Sequence, residues 1–122
     1  MMTQLNGKIE KGWGYEFIWT TGELYSGKKL HFSKKGNKFS MHYHIKKDET
    51  WVVDSGKFLL RYIDPATAEI KEKILEVNDV WHNPPGLAHQ LEALEDHSEI
   101  TEVSTPDSVE DNFRVFPGDS QK

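Results

Sequence analysis

Gly36-Asn37-Lys38-Phe39-Ser40-Met41-His42-Tyr43-His44-Ile45-Lys46-Lys47-Asp48-Glu49-Thr50-Trp51-Val52-Val53-Asp54-Ser55-Gly56 is the stretch whose reading decides the fold. It holds two short apolar-polar runs separated by a polar turn and bounded by glycines. On a β-strand, residues i and i+2 point to one face, so His42 and His44 project together. The turn Ile45-Lys46-Lys47-Asp48 lets the next strand return and set Glu49 on the same face. Two imidazoles and a carboxylate brought together in this way read as metal ligands.

The same pattern continues outward. Trp13, Tyr15, Phe17 and Trp19 alternate, which predicts a strand over 13–19 with one aromatic face. Further strand-like runs cover 29–32, 58–63, 69–75, 79–81, 89–91, 99–104 and 113–116. Gly22, Gly27, Gly36, Gly56 and Gly86 punctuate them, with Pro65, Pro84 and Pro85. Residues 66–77 contain good helix formers, but Asp64-Pro65 is turn chemistry and Ile70, Glu72 and Ile74 alternate. The segment is read as one strand of a hairpin. The tail after Pro117 is expected to fray. Many short strands with regular turns predict an all-β sandwich or barrel.

Composition agrees. The 122 residues suffice for one domain. The chain is 36% hydrophobic and 29% charged, with four Trp, four Tyr and six Phe, which suits a thin barrel wall around a cavity. The formal net charge of −5 argues against nucleic acid and anionic membranes as partners. Residues 1–61 carry eleven Lys or Arg against six Asp or Glu; residues 62–122 carry four against fourteen. That asymmetry is a mixed solvated surface, or else Lys34, Lys35, Lys38, Lys46 and Lys47 border a site for an anionic small molecule. Cysteine is absent, which excludes disulfides and thiolate chemistry. No apolar run resembles a signal peptide or a membrane span, so a cytoplasmic protein is expected.

His89 follows the rigid turn Asn83-Pro84-Pro85-Gly86 at the start of a later strand. Gly36, His42, Tyr43, His44, Glu49 and Gly56 stand at the spacing of the first cupin motif. Asn78, Pro84, Pro85, Gly86 and His89 resemble the second, with Asn78 where that family usually has Gly and Ala93 where it often has Asn. The resemblance covers about residues 28–105. It implies a double-stranded β-helix, a jelly-roll-like barrel with His42, His44, Glu49 and His89 holding one divalent ion inside. Residues 1–122 then form a single domain, with an N-terminal strand 13–19 and a closing segment 106–117. Three imidazoles and a carboxylate suit Mn, Fe, Co, Ni or Zn. His31, His82 and His97 fall outside the motifs and are read as surface or packing residues.

Trp13-Gly14-Tyr15-Glu16, Tyr25 to Leu30, Lys47-Asp48-Glu49, Glu102 to Thr105 and Glu110 to Arg114 look like the sugar-isomerase branch of the cupins. That branch includes D-lyxose isomerase and the C-terminal domain of type II mannose-6-phosphate isomerases. The resemblance implies a small carbohydrate ligand, aldose–ketose isomerisation and a homodimer. Glu102, on the run 99–104, is the candidate base. Arg114, Asn83, Trp51, Trp81 and Lys47 are candidate substrate contacts, with Trp51, Trp81 and Asn83 expected to face the cavity. An Fe(II)-dependent dioxygenase and a non-catalytic metal-containing binding protein are the alternatives.

Overall fold

The computed structural model describes residues 1–2 and 7–122. Residues 3–6, part of the N-terminal segment read as lacking a signal sequence, lie outside the described residues. Among the described residues, eleven strands form two antiparallel sheets: β1 (Gly7–Lys11), β2 (Gly14–Thr21), β3 (Ser26–Phe32), β4 (Met41–Tyr43), β5 (Glu49–Ser55), β6 (Lys57–Ile63), β7 (Ile70–Glu76), β8 (Val80–Asn83), β9 (His89–Ala93), β10 (Ser98–Ser104) and β11 (Phe113–Phe116). One sheet runs β1-β2-β3-β10-β5-β8 and the other β11-β4-β9-β6-β7. Neighbouring strands are mostly distant in sequence, as in a jelly roll closed by crossovers. Among the described residues, no helix is long and apolar enough to cross a membrane.

Alternation explains the layering. In β5, Glu49, Trp51 and Val53 are buried while Thr50 and Val52 are less so. In β10, Ser98, Ile100, Glu102 and Ser104 are buried, and Glu99, Thr101 and Val103 face outward. The inward apolar residues of both sheets meet as one core around Phe32, Trp51, Phe58, Leu60, Leu91 and Ile100. Phe32 meets Phe58 edge to face at 5.0 Å. Polar inward residues gather at the opposite end, where the cavity opens.

The turns are as the sequence demands. Gly56 joins β5 to β6 at φ 73°, and a Cβ there would lie 2.1 Å from Ser98 Oγ. Asn78 holds φ 72°, the left-handed conformation that Asn tolerates. The segment after Asp64-Pro65 forms β7 and pairs with β6 as a hairpin.

Two local expectations need correction, and one strand lies where none was expected. Trp13, Tyr15, Phe17 and Trp19 do not share a face. Gly14 takes φ 148°, and a Cβ there would lie 1.8 Å from the His31 carbonyl oxygen. This break sends Trp13 into the core, stacked on Phe32 at 4.6 Å, while Tyr15 stacks on His31 outside the sheet. The register then shifts between Ile18 and Thr20, so Trp19 covers Gly27. Strand β1 went unnoticed in the sequence because it is largely exposed and has no apolar face. The tail is docked rather than frayed. Asp119 accepts the Lys38 N–H at 2.9 Å and the Asn37 amide at 3.1 Å, and Gly118 packs flat on the Phe39–Ser40 backbone.

Candidate metal centre and cavity

Strand β4 carries His42 inward, in register with His89 on β9. His44 follows two residues on. The ligand nitrogens of His42, His44 and His89 all lie within 4.8 Å of one another. Each ring is oriented by a backbone carbonyl. His42 Nδ1 lies 2.8 Å from Ser40 O, His44 Nδ1 2.6 Å from Asp111 O, and His89 Nδ1 2.9 Å from Leu87 O. A carbonyl only accepts, so Nδ1 carries the proton in all three rings and each Nε2 keeps its lone pair. Outer hydrogen bonds of this kind fix the tautomer of metal-binding histidines.

Glu49 stands beside them. Its Oε1 lies 2.8 Å from His89 Nε2. That buried nitrogen nevertheless makes no hydrogen bond. A lone-pair nitrogen and a carboxylate oxygen facing each other suit a shared cation. The donor set of three imidazoles and one carboxylate fits a divalent transition ion.

The electrostatics favour the ligating forms. Burial and the neighbouring imidazoles push His42 down to about 3. Burial lowers His44 as well. Both are neutral at physiological pH, as metal binding requires. Burial works to raise Glu49, but the adjacent His89 and Lys47 outweigh it and hold the carboxyl well below the usual range. Lys47 Nζ stands 3.2 Å from Glu49 Oε2.

The three imidazoles and Glu49 line a cavity of about 370 Å³, a size suited to a small molecule. Trp13, Leu30, Phe39 and Trp51 form its apolar wall, and Trp51 meets His89 edge-on at 5.3 Å. Glu102 is buried in the wall. It accepts the Trp51 indole N–H at 2.9 Å and lies 3.0 Å from Lys47 Nζ. Burial first, then the charge of Glu49, raises Glu102 to about 7 against the pull of Lys28 and Lys47. Arg114 sits in register with His42 and borders the mouth, with Asn112 and Gln121.

Two expected contacts sit elsewhere. Trp81 and Asn83 are not on the cavity wall, because their strand β8 lies at the sheet edge behind Glu49. The Asn83 amide donates to Glu49 Oε1 at 3.3 Å, and the Trp81 indole donates to Asn83 Oδ1 at 2.7 Å. They brace Glu49 from outside the cavity. Of the five lysines considered for an anion site, only Lys47 reaches the cavity. Lys34, Lys35 and Lys46 are exposed, and Lys38 is tied through its backbone to Asp119. His31 and His97 contact each other beside Glu99, and His82 contacts Asp48, all away from the metal ligands.

The structure adds residues the sequence reading missed. Lys28, Glu16 and Asp107 line the cavity. Lys28 was detectable, since it is in phase with the apolar Leu30 and Phe32. Glu16 and Asp107 gave no such signal.

This architecture is a double-stranded β-helix, the fold that the cupin resemblance implied, with the three imidazoles and Glu49 gathered on one cavity. No family model and no curated protein matches the sequence. Solved structures match the fold. KdgF from Halomonas sp. matches with a TM-score of 0.68 and 19% identity, over 79% of this chain and 81% of that one. Oxalate decarboxylase from Bacillus subtilis matches with a TM-score of 0.76 and 24% identity, over 91% of this chain and 30% of that one. The capsular polysaccharide assembling protein CapF from Staphylococcus aureus matches with a TM-score of 0.78 and 21% identity, over 94% of this chain and 33% of that one. The chain thus spans about a third of the last two proteins. Bacillus subtilis oxalate decarboxylase has Mn(II) centres.

Proposed function

We propose that the protein is a metal-dependent cupin that binds a small carbohydrate and isomerises it between aldose and ketose forms. The single observation behind this reading is the placement of two kinds of group around one cavity. The three imidazoles and Glu49 stand together, and the buried Glu102 carboxylate lines the same cavity with a raised pKa.

His42, His44, His89 and Glu49 would hold the ion. A divalent ion bound there supplies positive charge against the oxyanion that develops when a proton leaves a carbon next to a carbonyl. The chain's own groups do the rest. Glu102, shifted toward neutrality, takes a proton from one carbon and returns it to the next. Lys47 and the Trp51 N–H hold the Glu102 carboxylate in place. Trp51, Trp13 and Phe39 supply apolar faces that suit sugar C–H groups and exclude water. Arg114 at the mouth offers a planar cation to a distal oxygen or phosphate. The capsular polysaccharide role of CapF is compatible with a carbohydrate ligand.

The test is a panel of pentoses, hexoses and their phosphates with protein loaded in turn with Mn, Fe, Zn, Ni and Co. Turnover by wild type, lost in Glu102→Gln with metal content unchanged, supports the reading. Saturable sugar binding without turnover would leave a non-catalytic binding protein. Oxygen consumption with Fe(II) alone would establish the dioxygenase alternative.

A further inference from the structure

Lys28 and Lys47 are unusual for lysines: their side chains are 9% and 5% exposed at the cavity wall. Each ammonium has three donors. Lys28 lies 3.2 Å from Glu16 and 3.8 Å from Glu102; Lys47 lies 3.2 Å from Glu49 and 3.0 Å from Glu102. These carboxylates stand on β2, β5 and β10 and are fixed by the sheet. The remaining partner of both lysines is different. Asp107 Oδ2 is 3.0 Å from Lys28 Nζ and its Oδ1 is 2.6 Å from Lys47 Nζ. One carboxylate bridges the two ammoniums, one oxygen to each.

Asp107 is also the one carboxylate of the group not held by a strand. It lies between β10 and β11, and its side chain is 46% exposed, against 17% or less for Glu16, Glu49 and Glu102. Its segment is anchored on either side. Thr105 N–H donates to Asp48 O at 3.0 Å, and the Asp111 carboxylate accepts the backbone N–H groups of Ile45, Lys46 and Lys47. Residues 106–110 thus hang between two anchors, and Asp107 is outside any strand. Withdrawing Asp107 leaves Lys28 and Lys47 each short of one carboxylate oxygen, a place that one monoanionic group can fill.

We propose that Lys28 and Lys47 form a seat for the carboxylate of an acidic ligand, and that Asp107 fills this seat until the ligand displaces it. The inference deepens the carbohydrate reading by naming an acidic, hydroxyl-bearing substrate class, and it rests on that reading for the hydroxyls only. Asp107 acts as an internal competitor: it lowers the apparent affinity for carboxylates by the fraction of time it occupies the seat.

The test is calorimetric titration of the Mn(II)-loaded protein with four probes. D-gluconate and sorbitol are a matched pair differing in a carboxylate. Glycolate carries the carboxylate without a sugar chain. Inorganic phosphate is the other common oxyanion. Asp107→Asn is expected to bind gluconate and glycolate about 10-fold more tightly than wild type, with sorbitol unchanged. Lys28→Met is expected to weaken both acids by a similar factor; Lys28 is chosen because it touches no metal ligand. Should Lys28→Met fail to fold, Asp107→Ala must reproduce the gain seen with Asp107→Asn. Equal binding of gluconate and sorbitol in all variants would overturn the seat and leave the carbohydrate reading standing. Asp107-dependent binding of glycolate, with no binding of gluconate or sorbitol, would uphold the seat and retire the carbohydrate reading. A gain for phosphate but not for glycolate in Asp107→Asn would overturn the carboxylate assignment.

Discussion

His89→Ala separates two contributions that a single stability measurement would merge. The ring is 1% exposed and packs edge-on against Trp51 and Phe39 and against His42 at 4.8 Å. Truncating it leaves a hole, which costs roughly 2–4 kcal/mol with or without metal. The second contribution appears only with metal. An ion at about 1,000 times its Kd adds about 4 kcal/mol to the native state. If losing one of four ligands weakens binding about 100-fold, the same ion concentration adds only about 1.4 kcal/mol. For 122 residues the unfolding entropy is about 0.26 kcal/mol/K, so the metal-induced rise in Tm is expected to fall from about 16 °C to about 5 °C. Differential scanning calorimetry with Mn(II) and with EDTA reads both terms, since the EDTA pair gives the packing cost alone. His82→Ala, on the exposed β8, is the control and should keep the full metal-induced rise. An unchanged rise in His89→Ala would refute the ligand assignment, whatever happened to the EDTA value.

Gly56→Ala should destabilise the fold by roughly 2–3 kcal/mol in chemical denaturation, because the added Cβ meets Ser98 Oγ at 2.1 Å and φ is 73°; an unaffected midpoint would show that the turn relaxes freely. Asp119 is held below its usual range: burial opposes this, but the Lys38 N–H, Lys122 and Asn37 outweigh it. Its stabilising contribution is therefore present above pH about 4 and lost as pH falls through the lower folded value. Wild type and Asp119→Asn should accordingly differ in Tm at pH 7 and converge near pH 2, and a gap that persists in acid would contradict this. A homodimer is expected by light scattering at micromolar concentration. The outer face of the six-stranded sheet, with Tyr15, Phe17 and the half-exposed Val103, is the surface to mutate; a monomeric mass would dismiss it.

Part of the candidate metal centre was legible from short-range geometry: His42 and His44 share a face through the strand period, and a polar turn returns Glu49 to them. His89 was placed by the resemblance to the second cupin motif, because its register opposite His42 joins β4 to the distant β9. Alternation likewise exposed most strands and the inward position of Glu102. It misled at Trp13 to Trp19, where Gly14 reverses the phase by a backbone conformation that the side-chain pattern does not encode. It said nothing about β1, whose residues face solvent on nearly every position. The tail was unreadable for another reason. Its docking uses distant partners: the Asp119 carboxylate accepts N–H groups from residues some eighty positions earlier, the Asp119 N–H donates to Lys38 O, and Ser120 Oγ accepts the Gly12 N–H. The remaining features of the site are also matters of tertiary neighbourhood. The proton on His44 Nδ1 is set by the carbonyl of Asp111, 67 residues away. Lys28, Lys47 and Asp107 come from three separate segments, and no periodicity joins them. Local sequence determines which face a side chain takes, but only the closed barrel determines what stands opposite it. The candidate ligands His42, His44 and Glu49 therefore belong to the first kind of information, and the place of His89 opposite them and the charged wall that would receive a ligand belong to the second.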